Sequence, residues 1–219
     1  MTKLRVHNFA VSLDGFATGE GQSLETPFGH AGQRLMNWFF PTHTFVSMTG
    51  HDDEAIGSGT RGIDDAFAAA TNDGIGAEIM GRRKFGPQQD GPWVDDGWRG
   101  WWGEEPPFHT PVIVLTHHER EDLTVGETEF LFRNLSPRDA LDLAAEKAGG
   151  LDVRLGGGAT TVRQFLAAGL VDYLHIVVSP IVLGRGERLW DGLEGLEERF
   201  TIESISSPSG VVHQVFTKI

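Results

Sequence analysis

Runs of aliphatic and β-branched residues recur along the chain and predict the strands of a sheet. The clearest lies within 111–116 (PVIVLT), whose unbroken apolar character is typical of a strand buried on both faces. Residues 4–13 alternate with interruptions and predict a central first strand, and 75–80, 130–132 and 171–179 predict three more. The alternating segments 199–207 and 210–218 flank Pro208-Ser-Gly and predict a terminal hairpin.

Helical spacing appears between these strands. Ser136-Pro137, with Asp139 behind it, combines an N-cap residue, proline at the first helical position and an acid in the first turn. A short helix is predicted over 33–40, and either Asp64 or Asp65 is expected to cap another. Residues 42–62 lack periodicity and are predicted to form a loop. The order of elements predicts one α/β domain over 1–219, with a mainly parallel central sheet and an antiparallel edge.

The segment 152–166 (DVRLGGGATTVRQFL) contains the pattern that is most informative about function. It predicts a strand, a turn at Gly156-Gly157-Gly158 and a helix whose apolar positions fall at i, i+3 and i+4. Glycines let a ligand approach the backbone, and a helix start offers unpaired N–H groups, which suits a phosphate or pyrophosphate. The alternative is a tight turn without a ligand. Three consecutive glycines do not match the G-x-G-x-x-G fingerprint of the Rossmann fold.

The amino-acid composition and the net charge limit which partners and which catalytic groups the protein can have. The net charge of −13 argues against nucleic acid or an anionic membrane as the main partner. Against that background the run Arg82-Arg83-Lys84 predicts a phosphate contact, and the alternative is a solvated basic turn. The chain has no cysteine, which excludes disulfides and thiolate catalysis. No apolar run reaches transmembrane length and no secretory signal is visible, so we expect a cytoplasmic protein.

Two further segments are rich in tryptophan or histidine, and we ask whether either one predicts a binding site. Residues 87–111 contain four of the six tryptophans and predict a loop packed by its own aromatic rings, as a lid, a subunit contact or a pocket wall. His117 and His118 are adjacent, and neighbours on a strand point to opposite faces, so they do not predict a metal site. We predict no bound metal.

Several motifs, in this order along nearly the whole chain, resemble the dihydrofolate reductase superfamily and most of all the reductase domain of the riboflavin-biosynthesis deaminase-reductase. They are VSLDG at 11–15, MGRRKF at 80–85, VIVLT at 112–116, GGG at 156–158 ahead of QFL at 164–166, GLVD at 169–172 and SPIVLGRG at 179–186. The resemblance implies a three-layer fold with helices on both faces of the sheet, NADPH as cofactor, a small-molecule substrate and a homodimer.

The resemblance also implies which residues contact NADPH. Gly157, Gly158, Ala159 and Thr160 would hold the pyrophosphate at the helix start. Gly81, Arg82, Arg83 and Lys84 would meet phosphates. Thr116 and His117 would lie near the adenosine 2′-phosphate, and Ala10 near the nicotinamide.

The substrate side departs from the family pattern. Residues 33–38 contain no acid where folate reductases hold the pterin, and Gly156 stands where the riboflavin-pathway reductase carries glutamate. Asp14 and His175 are the candidate proton donors, with a plain turn residue and a hydrogen-bonded core histidine as their alternatives. Trp38 could line the substrate pocket or belong to the core. The sequence predicts an NADPH-dependent reductase of a pterin- or pyrimidine-like heterocycle, resembling the 5-amino-6-(5-phosphoribosylamino)uracil reductase domain; the alternative is a non-catalytic nucleotide-binding or protein-interaction protein on the same fold.

Overall fold

A nine-stranded mixed sheet forms the centre of the protein. Its strands lie in the order β10 (Phe200–Ser206), β11 (Val212–Lys218), β8 (Tyr173–Ser179), β1 (Leu4–Ser12), β7 (Asp152–Gly157), β3 (Ile75–Gly81), β4 (Val112–Leu115), β6 (Thr128–Arg133) and β5 (Leu123–Val125). The computed structural model describes residues 2–49, 58–86, 91–94 and 97–219. The inner strands β8, β1, β7, β3, β4 and β6 pair in parallel, whereas β10 and β11 at one edge and β5 at the other are antiparallel. The predicted α/β fold with a mainly parallel centre and an antiparallel C-terminal hairpin is confirmed.

A separate two-stranded sheet pairs β2 (Phe16–Thr18) with β9 (Glu187–Arg188). The α-helices are α1 (His43–Thr49), α2 (Ile63–Ala69), α3 (Arg82–Phe85), α4 (Pro137–Lys147) and α5 (Ala159–Ala167).

Alternation along the strands divides the core between the two faces of the sheet. Ile79 and Ile113 point into the layer that α4 and α5 cover, while their neighbours Met80 and Val114 point to the opposite face. That opposite face is covered by α2, by a 3₁₀ helix at Gly29–Met36 and by the tryptophan-rich segment. The three-layer arrangement with helices on both faces is therefore confirmed.

The start of α4 matches its sequence signal closely. The Ser136 hydroxyl accepts a hydrogen bond from the Asp139 backbone N–H at 3.2 Å and donates to the Asp139 carboxylate at 2.6 Å. Pro137 takes the first helical position, where no N–H is needed.

Three local predictions were wrong. The helix expected at 33–40 is the 3₁₀ helix Gly29–Met36, whose path breaks at Gly32, a residue with positive φ. The expected loop at 42–62 contains α1, although 50–57 lie outside the described residues. Neither Asp64 nor Asp65 caps α2: Asp64 binds His213, and Asp65 accepts from the backbone N–H of Thr44. Within the described ranges no helix is long and apolar enough to cross a membrane.

Candidate functional site

A cleft of about 1360 Å³ opens at the carboxyl ends of the parallel strands and continues along one face of the sheet. It exceeds the roughly 300–1,000 Å³ of ordinary small-molecule pockets. Its walls come from β1, β7, α3, the start of α5 and the segment after β4. A cleft of this size has room for a dinucleotide and a second, smaller molecule side by side.

The glycine turn forms the rim of this cleft. β7 ends at Gly157, the Gly157–Gly158 peptide is cis, and α5 begins at Ala159. A Cβ at Gly157 would lie 3.3 Å from the Phe9 ring, and the residue has φ +114°, so a side chain there would be strained. A Cβ at Gly158 would meet open space. The turn therefore exposes backbone and the first N–H groups of α5 to the cleft.

Close packing behind the turn also requires glycine. A Cβ at Gly81 would collide with the Thr161 hydroxyl, so the end of β3 lies directly against the first turn of α5. The start of α3 follows at once, which brings its cations beside the start of α5.

The three consecutive cations of α3 diverge, because successive residues on a helix point about 100° apart. Arg82 is 8% exposed; its guanidinium donates to the Gly91 carbonyl at 2.6 Å and lies 4.1 Å from the centre of the Trp93 ring. Arg83 donates to the Glu187 carboxylate at 2.9 Å at the mouth of the cleft. Lys84 turns inward to Glu78, also at 2.9 Å. Of these three cations, only Arg83 therefore lies beside the start of α5 with its charge at the mouth.

Glu187 links the two sides of that mouth. One oxygen of its carboxylate accepts from Arg83, and the other accepts from the Thr160 hydroxyl at 3.1 Å. A position between a cation and the N-terminus of a helix stabilises any anion, and the Glu187 carboxylate occupies such a position.

The outer end of the cleft is formed after β4. Thr116 is buried, and its hydroxyl accepts from the His118 backbone N–H at 3.2 Å. His117 Nδ1 lies 3.2 Å from Asn134 Oδ1. Thr116, His117 and, from β1, Ala10 all line the cleft. The structure thus brings all eleven residues predicted to contact the cofactor to the wall of one cavity. Of these, Arg82 is engaged with the tryptophan segment and Lys84 with Glu78.

The inner end of the cleft carries an ionic cluster that we call the Glu78 cluster: Glu78, Lys84 and Arg154. Glu78 is 1% exposed and accepts from Lys84 Nζ at 2.9 Å and from Arg154 Nε at 2.6 Å. Arg154 also donates to the Asn72 side chain at 2.7 Å. Burial lowers the pKa of Lys84, and the Glu78 carboxylate opposes that shift.

Sequence reasoning missed Glu78 and Arg154. A Cβ built at Gly156 would collide with both Glu78 Oε1 and Lys84 Nζ, so the glycine is what leaves room for the cluster. The carboxylate expected from the family at position 156 is thus replaced in space by one from the neighbouring strand. The available signal was a charged residue inside each of two otherwise apolar strands, at positions 78 and 154.

Asp14 does not line the cleft. Its carboxylate accepts from the Ser12 hydroxyl at 2.6 Å and from the backbone N–H groups of Leu183 and Gly184 at 3.1 and 2.7 Å. The Ser12 hydrogen bond, followed by those two backbone bonds, lowers the pKa of Asp14 to about 2. The hydrogen bonds to Leu183 and Gly184 connect the turn after β1 with the segment after β8.

His175 is fully buried in a directional chain of hydrogen bonds. The Asn8 backbone N–H donates to His175 Nδ1 at 3.2 Å, so His175 Nε2 carries the proton and donates to His213 Nδ1 at 2.9 Å. His213 Nε2 then donates to Asp64 at 2.8 Å. Burial, and then the neighbouring imidazoles, lower the pKa of His175 to about 3. Neither His175 nor Trp38, whose ring packs edge-on to His213, lines the cleft.

The described part of the tryptophan-rich segment covers part of the core and lines the cleft, which are two of the roles predicted for it. Trp93, Trp98 and Trp102 pack on a buried cluster around Phe85 and Phe130. Trp101 and Trp102 also line the cleft. Asp95, Asp96 and residues 87–90 lie outside the described residues. In the parts of the chain that the structure describes, no group of acidic and histidine side chains could hold a metal ion.

Comparison with protein families places residues 5–213 in the family described as the RibD C-terminal domain. The chain belongs to this family. Membership of this family supports an oxidoreductase activity for the chain. Comparison with curated protein sequences finds no significant match.

Solved structures share the fold at low sequence identity. A protein of Shewanella sp. PV-4 assigned to riboflavin biosynthesis has a TM-score of 0.59 and 19% identity, covering 100% of this chain and 99% of its own. The Thermotoga maritima deaminase/5-amino-6-(5-phosphoribosylamino)uracil reductase has a TM-score of 0.58 and 15% identity, covering 100% of this chain but 57% of its own. Dihydrofolate reductase from Enterococcus faecalis, in complex with NADP(H), has a TM-score of 0.50 and 11% identity, covering 99% and 96%.

Proposed function

We propose that this protein is an NADPH-dependent reductase of a small heterocycle related to a pterin or a pyrimidine. The observation that carries the proposal is the cleft itself: a glycine turn, the start of α5 and Arg83 meet at its mouth, and the volume exceeds the needs of one small ligand. Membership of the RibD C-terminal family and the cofactor of the E. faecalis enzyme support it.

The residues at the mouth suit a dinucleotide. Gly157 and Gly158 let a pyrophosphate approach the backbone, and the N–H groups of Ala159 and Thr160 and the Arg83 guanidinium would hold its charge. Bound NADPH would supply the hydride. Ala10, a small residue at the end of a buried strand, would leave space for the nicotinamide ring, with Thr116 and His117 beside the adenosine end.

With this function we propose a homodimer, as the family resemblance implies, in the cytoplasm. A mass measurement in solution, by light scattering, tests the assembly: twice the chain mass supports the dimer, and a monomer at every concentration contradicts it.

The experiment that tests the cofactor is titration with NADPH and NADH, followed by tryptophan fluorescence, because Trp101 and Trp102 line the cleft. We expect tighter binding of NADPH, and at least tenfold weaker binding by Arg83→Gln, since a charge-assisted contact to phosphate contributes about 1.5–3 kcal/mol. Arg138→Gln, an exposed arginine on α4 that does not line the cleft, is the matched control. Equal affinities in wild type and both variants would count against a phosphate role for Arg83.

A further inference from the structure

We propose that the Glu78 cluster binds an anionic group, a carboxylate or a phosphate, on the molecule that is reduced. The inference rests on the proposed function, because it assigns the inner half of the same cleft to the substrate. It goes beyond the family resemblance, which supplies no counterpart for Arg154.

The cluster has more hydrogen-bond donors than acceptors. Lys84 offers three N–H donors and Arg154 five, while the Glu78 carboxylate is the one anion between them. Glu78 Oε1 accepts from Lys84, and Glu78 Oε2 contacts Nε and Nη2 of Arg154. The third guanidinium nitrogen of Arg154, Nη1, donates to the Asn72 side chain. With respect to the residues that the structure describes, spare donors therefore remain on both cations, and the three side chains of the cluster have a net charge of +1.

These spare donors face the cleft. Lys84 and Arg154 both line it, and the Lys84 side chain is 27% exposed whereas that of Glu78 is 2% exposed. The carboxylate thus lies beneath its two cations and the cations face the cavity. Phe108 forms an aromatic wall beside them, with its ring centre 5.7 Å from Lys84 Nζ and 5.6 Å from the Arg154 guanidinium carbon.

A neutral polar group stands beside the same end of the cleft. His7 lines the cavity, and its buried Nε2 has no hydrogen-bond partner among the described residues. Burial, followed by the charges of Arg5 and Arg154, lowers the pKa of His7 to about 4, so its ring is neutral at pH 7. An unpartnered buried nitrogen next to spare cationic donors is the arrangement that a polar ligand would complete.

The cluster is distinct from the cofactor's phosphate region. Arg154 precedes Gly157 by three residues on β7, which at about 3.3 Å per residue places its Cα roughly 10 Å behind the glycine turn. The stem of Lys84 passes Gly157, with Cδ 3.9 Å from a Cβ built there, and its ammonium lies beside Gly156. Lys84 therefore leaves α3 in the direction opposite to the mouth.

The test is calorimetric titration of the intact protein with inorganic phosphate and with malonate, each with and without saturating NADPH. We expect binding that persists with NADPH present, a preference between the two probes that identifies the anion type, and at least tenfold weaker binding by Lys84→Gln. Glu78→Gln should bind more tightly, because it removes the competing negative charge. Opposite effects of the two variants cannot arise from loss of the fold.

Two further variants complete the design. Gly156→Ala introduces a Cβ where Glu78 and Lys84 lie and should weaken anion binding without changing any charge. Lys147→Gln removes an exposed lysine outside the cleft and should change nothing. Absence of anion binding by the wild type, equal affinity in wild type and Lys84→Gln, or loss of anion binding once NADPH is added would each overturn the inference.

NADPH titrations of the same variants separate this inference from the proposed function. We expect Lys84→Gln to bind NADPH within twofold of wild type. If Lys84→Gln loses NADPH affinity tenfold while anion binding is unchanged, the cluster serves the cofactor and the inference fails although the reductase proposal stands. If the wild type binds no NADPH but the anion pattern holds, the reductase proposal fails and the anion site stands.

Discussion

Acidification should destabilise this protein through His175. The imidazole is fully buried, and its pKa is about 3 against about 6.5 for an exposed histidine. Between these two values the unfolded chain binds a proton that the folded chain does not. The stability that neutral His175 contributes is therefore complete above pH 6.5, and it is lost progressively as the pH falls towards 3.

The size of the effect follows from that difference. One pKa unit corresponds to about 1.4 kcal/mol, so lowering the pH from 7 to 5 should cost about 2 kcal/mol of unfolding free energy through His175 alone. Burial is the main cause of the low pKa of His175, and the direction of each hydrogen bond gives a second proton no acceptor. A proton on Nδ1 would face the Asn8 N–H, and Nε2 already donates to His213. A second proton on His175 would thus break the hydrogen bond from the Asn8 N–H, the first bond of the chain.

The assay is urea unfolding at pH 7 and at pH 5 for wild type and His175→Phe. Phenylalanine keeps a ring against Phe67, which stacks on His175 at 4.1 Å, but it cannot titrate. The variant should be less stable at pH 7, because the Asn8 N–H and His213 Nδ1 lose their partner. Its loss between pH 7 and pH 5 should be smaller than that of wild type by about 2 kcal/mol. Equal losses in the two proteins would refute the reasoning.

Three further substitutions test separate parts of the account. Glu187→Gln removes the carboxylate that lies between Arg83 and Thr160. Because this negative charge repels a phosphate and is partly screened by solvent, NADPH should bind roughly fivefold more tightly to the variant. Weaker binding in the fluorescence titration would contradict the assigned phosphate position. Ser136→Ala removes the N-cap of α4 and should cost about 1 kcal/mol in urea unfolding, and an unchanged midpoint would show that the cap contributes nothing. Phe165→Ala leaves a cavity at a fully buried position on the inner face of α5 and should lower the free energy of unfolding by about 3–5 kcal/mol in the same assay. A loss below about 1 kcal/mol would mean that the core collapses around the cavity.

Local sequence signals predicted the elements that depend on neighbours along the chain. The strand, glycine turn and helix over 152–166 follow from residues within one segment, as do the cap at Ser136 and the terminal hairpin. The same signals could not give side-chain partners from distant segments. The run 82–84 predicted a phosphate contact, yet the direction of Arg82 depends on Trp93 and that of Lys84 on Glu78.

The candidate proton donors illustrate the same limit. Asp14 precedes glycine and His175 lies mid-strand, and the sequence supports both a catalytic and a structural role for each. Which role fits depends on the backbone N–H groups near Asp14 and on His213, the diagonal neighbour of His175 across β8 and β11. Glu78 and Arg154 were missed because a buried charge in a strand is explained only when its partners on the adjacent strand are known.

The most direct measurement is a crystal structure of the protein with NADP⁺ bound. We expect pyrophosphate oxygens at the backbone N–H groups of Ala159 and Thr160, with Arg83 released from Glu187 onto a phosphate and the nicotinamide ring near Ala10. We also expect the Glu78 cluster to remain uncovered at the inner end of the cleft. A cofactor bound in the reverse direction, with its phosphates on Lys84 and Arg154, would contradict the account.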